Sequence, residues 1–217
     1  MSSFIEQGSA EWHQQRLGKV TASRVADVMA KTRTGYGASR ANYMAELLVE
    51  RLTGQPADKF ISAAMQWGTE NEPAARAHYE MLTDSRVESV GFVPHPEIPQ
   101  SGASPDGFVG DDGLVEIKCP NTATHIDTLL GAEIDGKYIK QMQWQMACTG
   151  RKWCDFVSYD PRLPMHLQMK IVRVMRDDKA IAEMQNEVVA FLVELETKDD
   201  ELKNLTNQQK ETTDETH

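Results

Sequence analysis

The sequence predicts a single α/β domain whose mixed β-sheet is flanked by helices. Three observations predict it. Apolar residues recur at helical spacing within the first 82 residues and again after residue 177, and short turn-bounded β-leaning segments lie between them. With 217 residues and 40% hydrophobic content, one core can close without disulfides or a structural metal.

The elements follow in order. Ser9, ahead of Glu11 and Trp12, caps a short helix ending at Gly18, and Thr21 to Ala30 opens a second with small polar residues. From Ser39 to Leu52 the residues Tyr43, Met44, Leu47, Leu48 and Leu52 keep amphipathic spacing, and Gly54 stops the helix. A further helical region spans Ser62 to Leu82, where Pro73 either starts a new helix or kinks the old one. The period then changes. Val87 to Val93, Gly102 to Val109 and Leu114 to Cys119 read as strands, the last two joined by the turn Gly110-Asp111-Asp112-Gly113. A helix at Tyr138 to Cys148 precedes strands at Trp153 to Tyr159 and His166 to Val174. The last helix, Asp177 to Leu202, carries the stripe Ile181, Met184, Val188, Phe191, Leu192 and Leu195. The domain is expected over residues 1–197, its last helix reaching to about 203, with 204–217 a disordered acidic tail too poor in apolar surface to offset the entropy of ordering.

Composition excludes several classes. Cys119, Cys148 and Cys154 form an odd set without metal-site spacing, which implies buried thiols in a reducing cytosol. No stretch reaches the roughly 18 apolar residues of a membrane span, and Met1 to Gly8 lacks a signal pattern. A net charge of −10 argues at first against nucleic acid, but it is uneven: residues 1–60 carry +2 and residues 61–120 carry −7. Between Ala10 and Arg40 the cations Arg16, Lys19, Arg24, Lys31, Arg33 and Arg40 meet only Glu11 and Asp27. Such a stretch can receive an anion, or it is a set of solvated helix charges.

The informative segment is Ser104-Pro105-Asp106-Gly107 followed by Glu116-Ile117-Lys118-Cys119-Pro120. Strand residues two apart share a face, so Glu116 and Lys118 project together while Val115, Ile117 and Cys119 enter the core. The hairpin can return Asp106 to the same place. Two carboxylates and an ammonium so close are costly unless a divalent cation or a substrate uses them. Oxygen donors without His or Cys suit Mg²⁺ or Mn²⁺, and the chemistry implied is metal-assisted phosphodiester hydrolysis. A solvated strand face beside a Pro-Asp-Gly turn is the alternative from these residues alone.

With Glu6-Gln7-Gly8, Trp12-His13, Arg16-Leu17-Gly18, Thr21-Ala22-Ser23, Trp67-Gly68 with Glu72, Gln141-Met142-Gln143 and Tyr159-Asp160-Pro161-Arg162 in the same order, the sequence resembles the phage lambda exonuclease family. That family is the viral recombinase branch of the PD-(D/E)XK nucleases. The resemblance implies a restriction-endonuclease-like fold and a Mg²⁺-dependent exonuclease, with Mn²⁺ as a substitute. It would degrade one strand of linear duplex DNA from 5′-phosphorylated ends and leave 3′ single strand for a single-strand annealing protein. Asp106, Glu116 and the Ile117 backbone carbonyl would hold the metal, Lys118 would position the attacking water, and Glu72 and Gln141 would complete the catalytic set. Arg16, helped by Ser23, would grip the terminal phosphate through its planar fork of donors. A ring-shaped homotrimer in a bacterial host cell, phage or prophage encoded, is implied too. Trp12 and His13 read as packing, Trp67, Trp144 and Trp153 as core aromatics, and His78, His95, His125 and His166 as unrelated to metal. An endonuclease on the same core and a binding module without catalysis are the rival readings.

Overall fold

Ser9 Oγ accepts the Trp12 N–H at 3.2 Å and so starts α1 (Ala10–Arg16), as its residue type predicts. The computed structural model that shows this describes residues 5–57 and 62–214, with side chains as far as Leu205. Beyond α1 come β1 (Val20–Thr21), a 3₁₀ turn (Ala22–Arg24) and α2 (Val25–Val28), where one longer helix is predicted. A small hairpin of β2 (Lys31–Thr32) and β3 (Gly35–Tyr36) leads into α3 (Ala38–Thr53), which Gly54 ends with a left-handed φ of 66°. Helix α4 (Ala63–Thr83) is capped by Ser62 and runs unbroken through Pro73, so the proline removes one hydrogen bond without dividing the helix.

The strands depart from the sequence reading in an instructive way. Val87 to Val93 divides into β4 (Val87–Glu88) and β5 (Val93–Pro94), and Gly102 to Val109 divides into β6 (Ser101–Ala103) and β7 (Gly107–Val109). The halves enter different sheets. β1, β6 and β5 make one, while β7 joins β8 (Gly113–Lys118) in the other. Pro105 lies in the break and donates no backbone hydrogen bond, so Ser104-Pro105-Asp106 becomes a connection between layers. Helix α5 (Thr122–Leu129), which the sequence reading missed, starts at the side-chain cap of Asn121. α6 (Gly136–Thr149), β9 (Trp153–Tyr159) and β10 (Met169–Met175) agree with prediction within a few residues. α7 (Asp178–Asp214) continues past Leu202 through most of the stretch expected as a disordered tail, and residues 215–217 lie outside those described.

The main sheet has the order β10-β9-β8-β7-β4, antiparallel except for the parallel pair β8 and β9. Its strands are covered on both faces. Val115, Ile117 and Cys119 pack with Ala75 and Tyr79 of α4, whereas Leu114 packs with Met142 and Met146 of α6 and with Cys154 and Phe156. Gly113 lets this happen, because a Cβ there would stand 2.1 Å from the Trp153 ring. A third cluster joins α2, α3, α6 and α7 through Val25, Tyr43, Leu47, Trp144, Val188 and Phe191. The mixed sheet flanked by helices is the architecture the sequence predicts.

Candidate active site

Glu116 sits on the α6 side of β8 and is fully buried, not on the solvated strand face that its residue type alone favours. Burial of a bare carboxylate is costly, and donors surround it. Gln141 Nε2 donates to Oε1 and Gln145 Nε2 to Oε2, each at 2.6 Å, and Lys118 Nζ stands 2.5 Å from Oε1. Gln141 and Gln145 are four apart on α6, so both amides reach the same carboxylate.

Asp106 arrives from the connection before β7. Its Oδ2 accepts the Ile117 N–H at 2.6 Å, and its own carbonyl is held by the Arg76 guanidinium. No hydrogen bond engages Oδ1 among the described residues. The hairpin thus returns Asp106 to Glu116 and Lys118 as its length predicts. Ile117, the expected third ligand, joins the site through its backbone. Glu72 lies on α4 with Arg76 Nη2 3.7 Å from Oε1.

The charges perturb one another as such crowding requires. Burial, with Glu116 and Glu72 adding to it, holds the Asp106 carboxyl well above the usual carboxylate range, against the pull of Lys118 and the Ile117 N–H. Burial raises Glu72 too, Arg76 opposing and Glu116 assisting. Burial alone would lower Lys118, but Glu116 and Asp106 outweigh it and keep the ammonium protonated. A group held so is a positioning cation and a poor base.

Two clefts meet here. One, of about 680 Å³, runs past Trp67, Gly68, Lys118, Asn121, Tyr138 and Arg162. The other, of about 670 Å³, runs past Gln7, Trp12, His13, Thr69, Pro73 and Arg76. Glu72 and Asp106 line both. Trp67 packs against the core cluster as predicted but is only half-buried, with the Arg162 guanidinium 4.4 Å from its ring centroid. Trp153 is likewise half-buried, under Arg173, and only Trp144 is wholly enclosed.

Arg16 lines a separate, neighbouring pocket, which shares His13 with the second cleft. Its guanidinium lies 4.2 Å from the Trp12 ring centroid and donates from Nη1 to Ser104 Oγ at 2.9 Å. Trp12 Nε1 donates to the same hydroxyl at 3.0 Å, so Trp12 is more than packing. No carboxylate forms a salt bridge with Arg16 among the described residues, although Glu46 and Glu50 line its pocket; burial lowers its pKa, with Tyr43 and Glu50 pulling the other way. His13, Lys19 and Arg24 line the pocket around it. Ser23 does not: it is exposed on the 3₁₀ turn, and Ser104 is the serine that touches Arg16. Ser104 and Gln145 are the site residues sequence reasoning left out, although Ser104 lies in the quoted motif and Gln145 follows Gln141 by one helical turn.

A known family, the YqaJ-like viral recombinase domain, matches residues 11–152, which contain Arg16, Glu72, Asp106, Glu116, Lys118 and Gln141. The chain belongs to the YqaJ-like viral recombinase family. The lambda exonuclease kinship read from the sequence holds with it, and by family the chain is a nuclease. It is 57% identical to the alkaline exonuclease LHK-Exo from Laribacter hongkongensis, with a TM-score of 0.86 over 93% of this chain and all of the other. A structure of LHK-Exo in complex with dAMP matches with a TM-score of 0.87 at the same identity and coverage. A phage-related exonuclease from Haemophilus somnus shares the fold at 15% identity and a TM-score of 0.65, over 86% of this chain and 96% of that one. No curated protein sequence matches.

Proposed function

We propose that this chain is a Mg²⁺-dependent exonuclease that degrades one strand of linear duplex DNA in the 5′-to-3′ direction from 5′-phosphorylated ends. The observation that carries this reading is the direct link between Arg16 and the carboxylate site. Ser104, which receives the Arg16 guanidinium, is two residues from Asp106. A guanidinium tied through Ser104 to the segment that carries Asp106, in a pocket next to the cleft lined by Asp106 and Glu72, suits a strand with its terminal phosphate gripped and its next phosphodiester at the carboxylates.

The donors fit Mg²⁺. Among the described residues no three His, Cys, Asp or Glu side chains form a preformed cage. Mg²⁺ does not ask for one, since it is bound by one or two carboxylates with water and substrate phosphate completing the shell. Asp106 Oδ1 and the carboxylates of Glu116 and Glu72 supply oxygens, and the Ile117 carbonyl would add another; Mn²⁺ should substitute. When bound, the ion would polarise the scissile phosphate and acidify water. The protein's own part is then plain. Lys118 holds the attacking water and meets developing negative charge, Gln141 fixes the Glu116 oxygen nearest to it, and Arg16 aligns the strand.

The dAMP bound to LHK-Exo supports release of nucleoside 5′-monophosphates here, leaving 3′ single strand for a single-strand annealing protein. A ring-shaped homotrimer would reconcile a net charge of −10 with DNA by turning the basic first 40 residues toward the duplex. No described helix is long and apolar enough to cross a membrane, and the work would be done inside a bacterial host cell on behalf of a phage or prophage. Incubation with linear and covalently closed duplex DNA tests the reading: linear DNA should disappear while circles persist. Cut circles would indicate an endonuclease, and two untouched substrates a binding module.

A further inference from the structure

We infer that Gln145 is a positioning residue for the metal-binding geometry of Glu116, an inference that rests on the reading of Glu116 as a metal ligand. Gln145 is fully buried and lines neither cleft, so it cannot touch DNA. Its amide nevertheless ends 2.6 Å from Glu116 Oε2, the oxygen that Gln141 and Lys118 leave alone. A carboxylate only accepts, so the NH₂ end of the amide must face it, which turns the Gln145 carbonyl oxygen toward the Cys154 thiol at 4.0 Å. The buried thiol is a weak donor kept protonated by burial, and this fits the same amide orientation.

The consequence concerns rotation of the carboxylate. Held on Oε1 alone by Lys118 and Gln141, Glu116 is free to swing about its terminal torsion; held on both oxygens from one rigid helix face, its plane is set. α6 is packed on both sides of Gln145 by Trp144 and Met146, each fully buried, so the amide has little freedom of its own. Partners that orient a metal ligand from behind typically change metal affinity or activity by about 10- to 100-fold when removed. Gln143, two residues away, offers an internal control: it is buried too, but its amide bonds the Met175 carbonyl and the Asp177 N–H, away from the site.

The test measures Mn²⁺ affinity directly, by calorimetry or by the Mn²⁺ spin signal, in the full chain without DNA, together with the Mg²⁺ dependence of digestion. Gln145→Met keeps volume and removes the donor. Gln145→Asn keeps an amide but withdraws it by one methylene, and so covers the case in which the methionine variant fails to fold. Either folded variant should bind Mn²⁺ about tenfold or more weakly and require correspondingly more Mg²⁺ for half-maximal rate, while the DNA KM at saturating Mg²⁺ stays unchanged. Gln143→Met should lower thermal stability and leave Mn²⁺ affinity alone. If both Gln145 variants melt earlier yet bind Mn²⁺ as the parent does, Gln145 only fills the core and the inference is overturned. Glu116→Gln separates the two levels of the argument: unchanged Mn²⁺ affinity in that variant overturns the metal-ligand reading itself, whereas lost affinity there with none lost at Gln145 overturns only the positioning role.

Discussion

The end of β8 and the Arg16 pocket are linked through the Ser104 to Asp106 segment and are built in opposite ways. At β8 the strand is covered on both faces, Glu116 has no exposure, and each of its oxygens has a donor within 2.6 Å. Around Arg16 the supporting elements are a seven-residue helix, a two-residue strand and a 3₁₀ turn, and the guanidinium meets one neutral hydroxyl and an indole ring. The first region holds Glu116 with both oxygens satisfied before any ligand arrives. The second leaves a guanidinium with no salt-bridge partner among the described residues, its nearest carboxylates acting only at longer range. On the proposed reading, chemistry uses the fixed geometry of the core, and recognition of a phosphate uses a cation presented by short elements.

Breaking the first region should have the largest effect. Asp106→Ala, Glu116→Ala or Lys118→Ala should each cost several kcal/mol of barrier and so reduce digestion about a thousandfold or more, with binding to DNA ends retained by gel shift. Digestion at the parent rate by any of the three would remove that residue from the chemistry. Breaking the second region should be gentler and selective. Arg16→Ala should lower the preference for 5′-phosphate over 5′-hydroxyl ends about tenfold or more, the worth of a charge-assisted hydrogen bond of about 1.5–3 kcal/mol. Arg16→Lys should restore part of it, keeping the charge and losing the fork. Equal slowing on both kinds of end would make Arg16 a general scaffold or backbone contact.

Stability sharpens the contrast. Because burial raises the Asp106 carboxyl above its ordinary value of 3.8, the folded chain holds that proton where the unfolded chain has released it. The group therefore destabilises the fold progressively as pH rises above about 4. Without divalent ions Asp106→Asn should melt a few degrees higher than the parent at neutral pH, the gap closing as pH falls toward 4. A gap that is absent or reversed at neutral pH would show the carboxylates to be at ease with one another. The opposite sign belongs to Asp160, which burial would raise but which the hydrogen bonds from Arg162 and Thr122 bring down to about 2. Its stabilisation is full above the ordinary value of 3.8 and is lost as pH falls toward 2. Since Arg162 is 47% exposed and screened, Asp160→Asn should cost on the order of 1 kcal/mol at neutral pH and nothing near pH 2, read from melting curves.

What the sequence could show follows the same division. The alternation along Val115 to Lys118 was readable as two faces, with Glu116 and Lys118 on one and Val115 and Ile117 on the other, and the hairpin length implied the return of Asp106. The depth of Glu116 was not readable, since nothing local says that α6 will cover that face with two glutamines. Gln145 was hidden for this reason: a polar residue among Trp144, Met146 and Ala147 does not announce its partner. The division of Val87 to Val93 and Gly102 to Val109 between two sheets escaped because strands of two or three residues have too few alternations to establish a register. α5 escaped because Thr122, Thr124, Ile126 and Thr128 are β-branched and lean toward strand. Near Arg16 the motif pointed to a serine that the fold leaves on the surface, because the serine that touches Arg16, Ser104, lies 88 residues away in sequence.

The central claim is that Arg16 and the carboxylates of Asp106 and Glu116 act on one strand end. The most direct measurement is digestion, in Mg²⁺, of a linear duplex carrying a 5′-phosphate at one end and a 5′-hydroxyl at the other, each strand labelled at its 3′ end with a different fluorophore. The account predicts stepwise shortening, from its 5′ side, of the strand that bears the phosphate, with release of mononucleotides and the complementary strand left at full length. Shortening from 3′ ends, or equal loss of both strands regardless of phosphate, would contradict it.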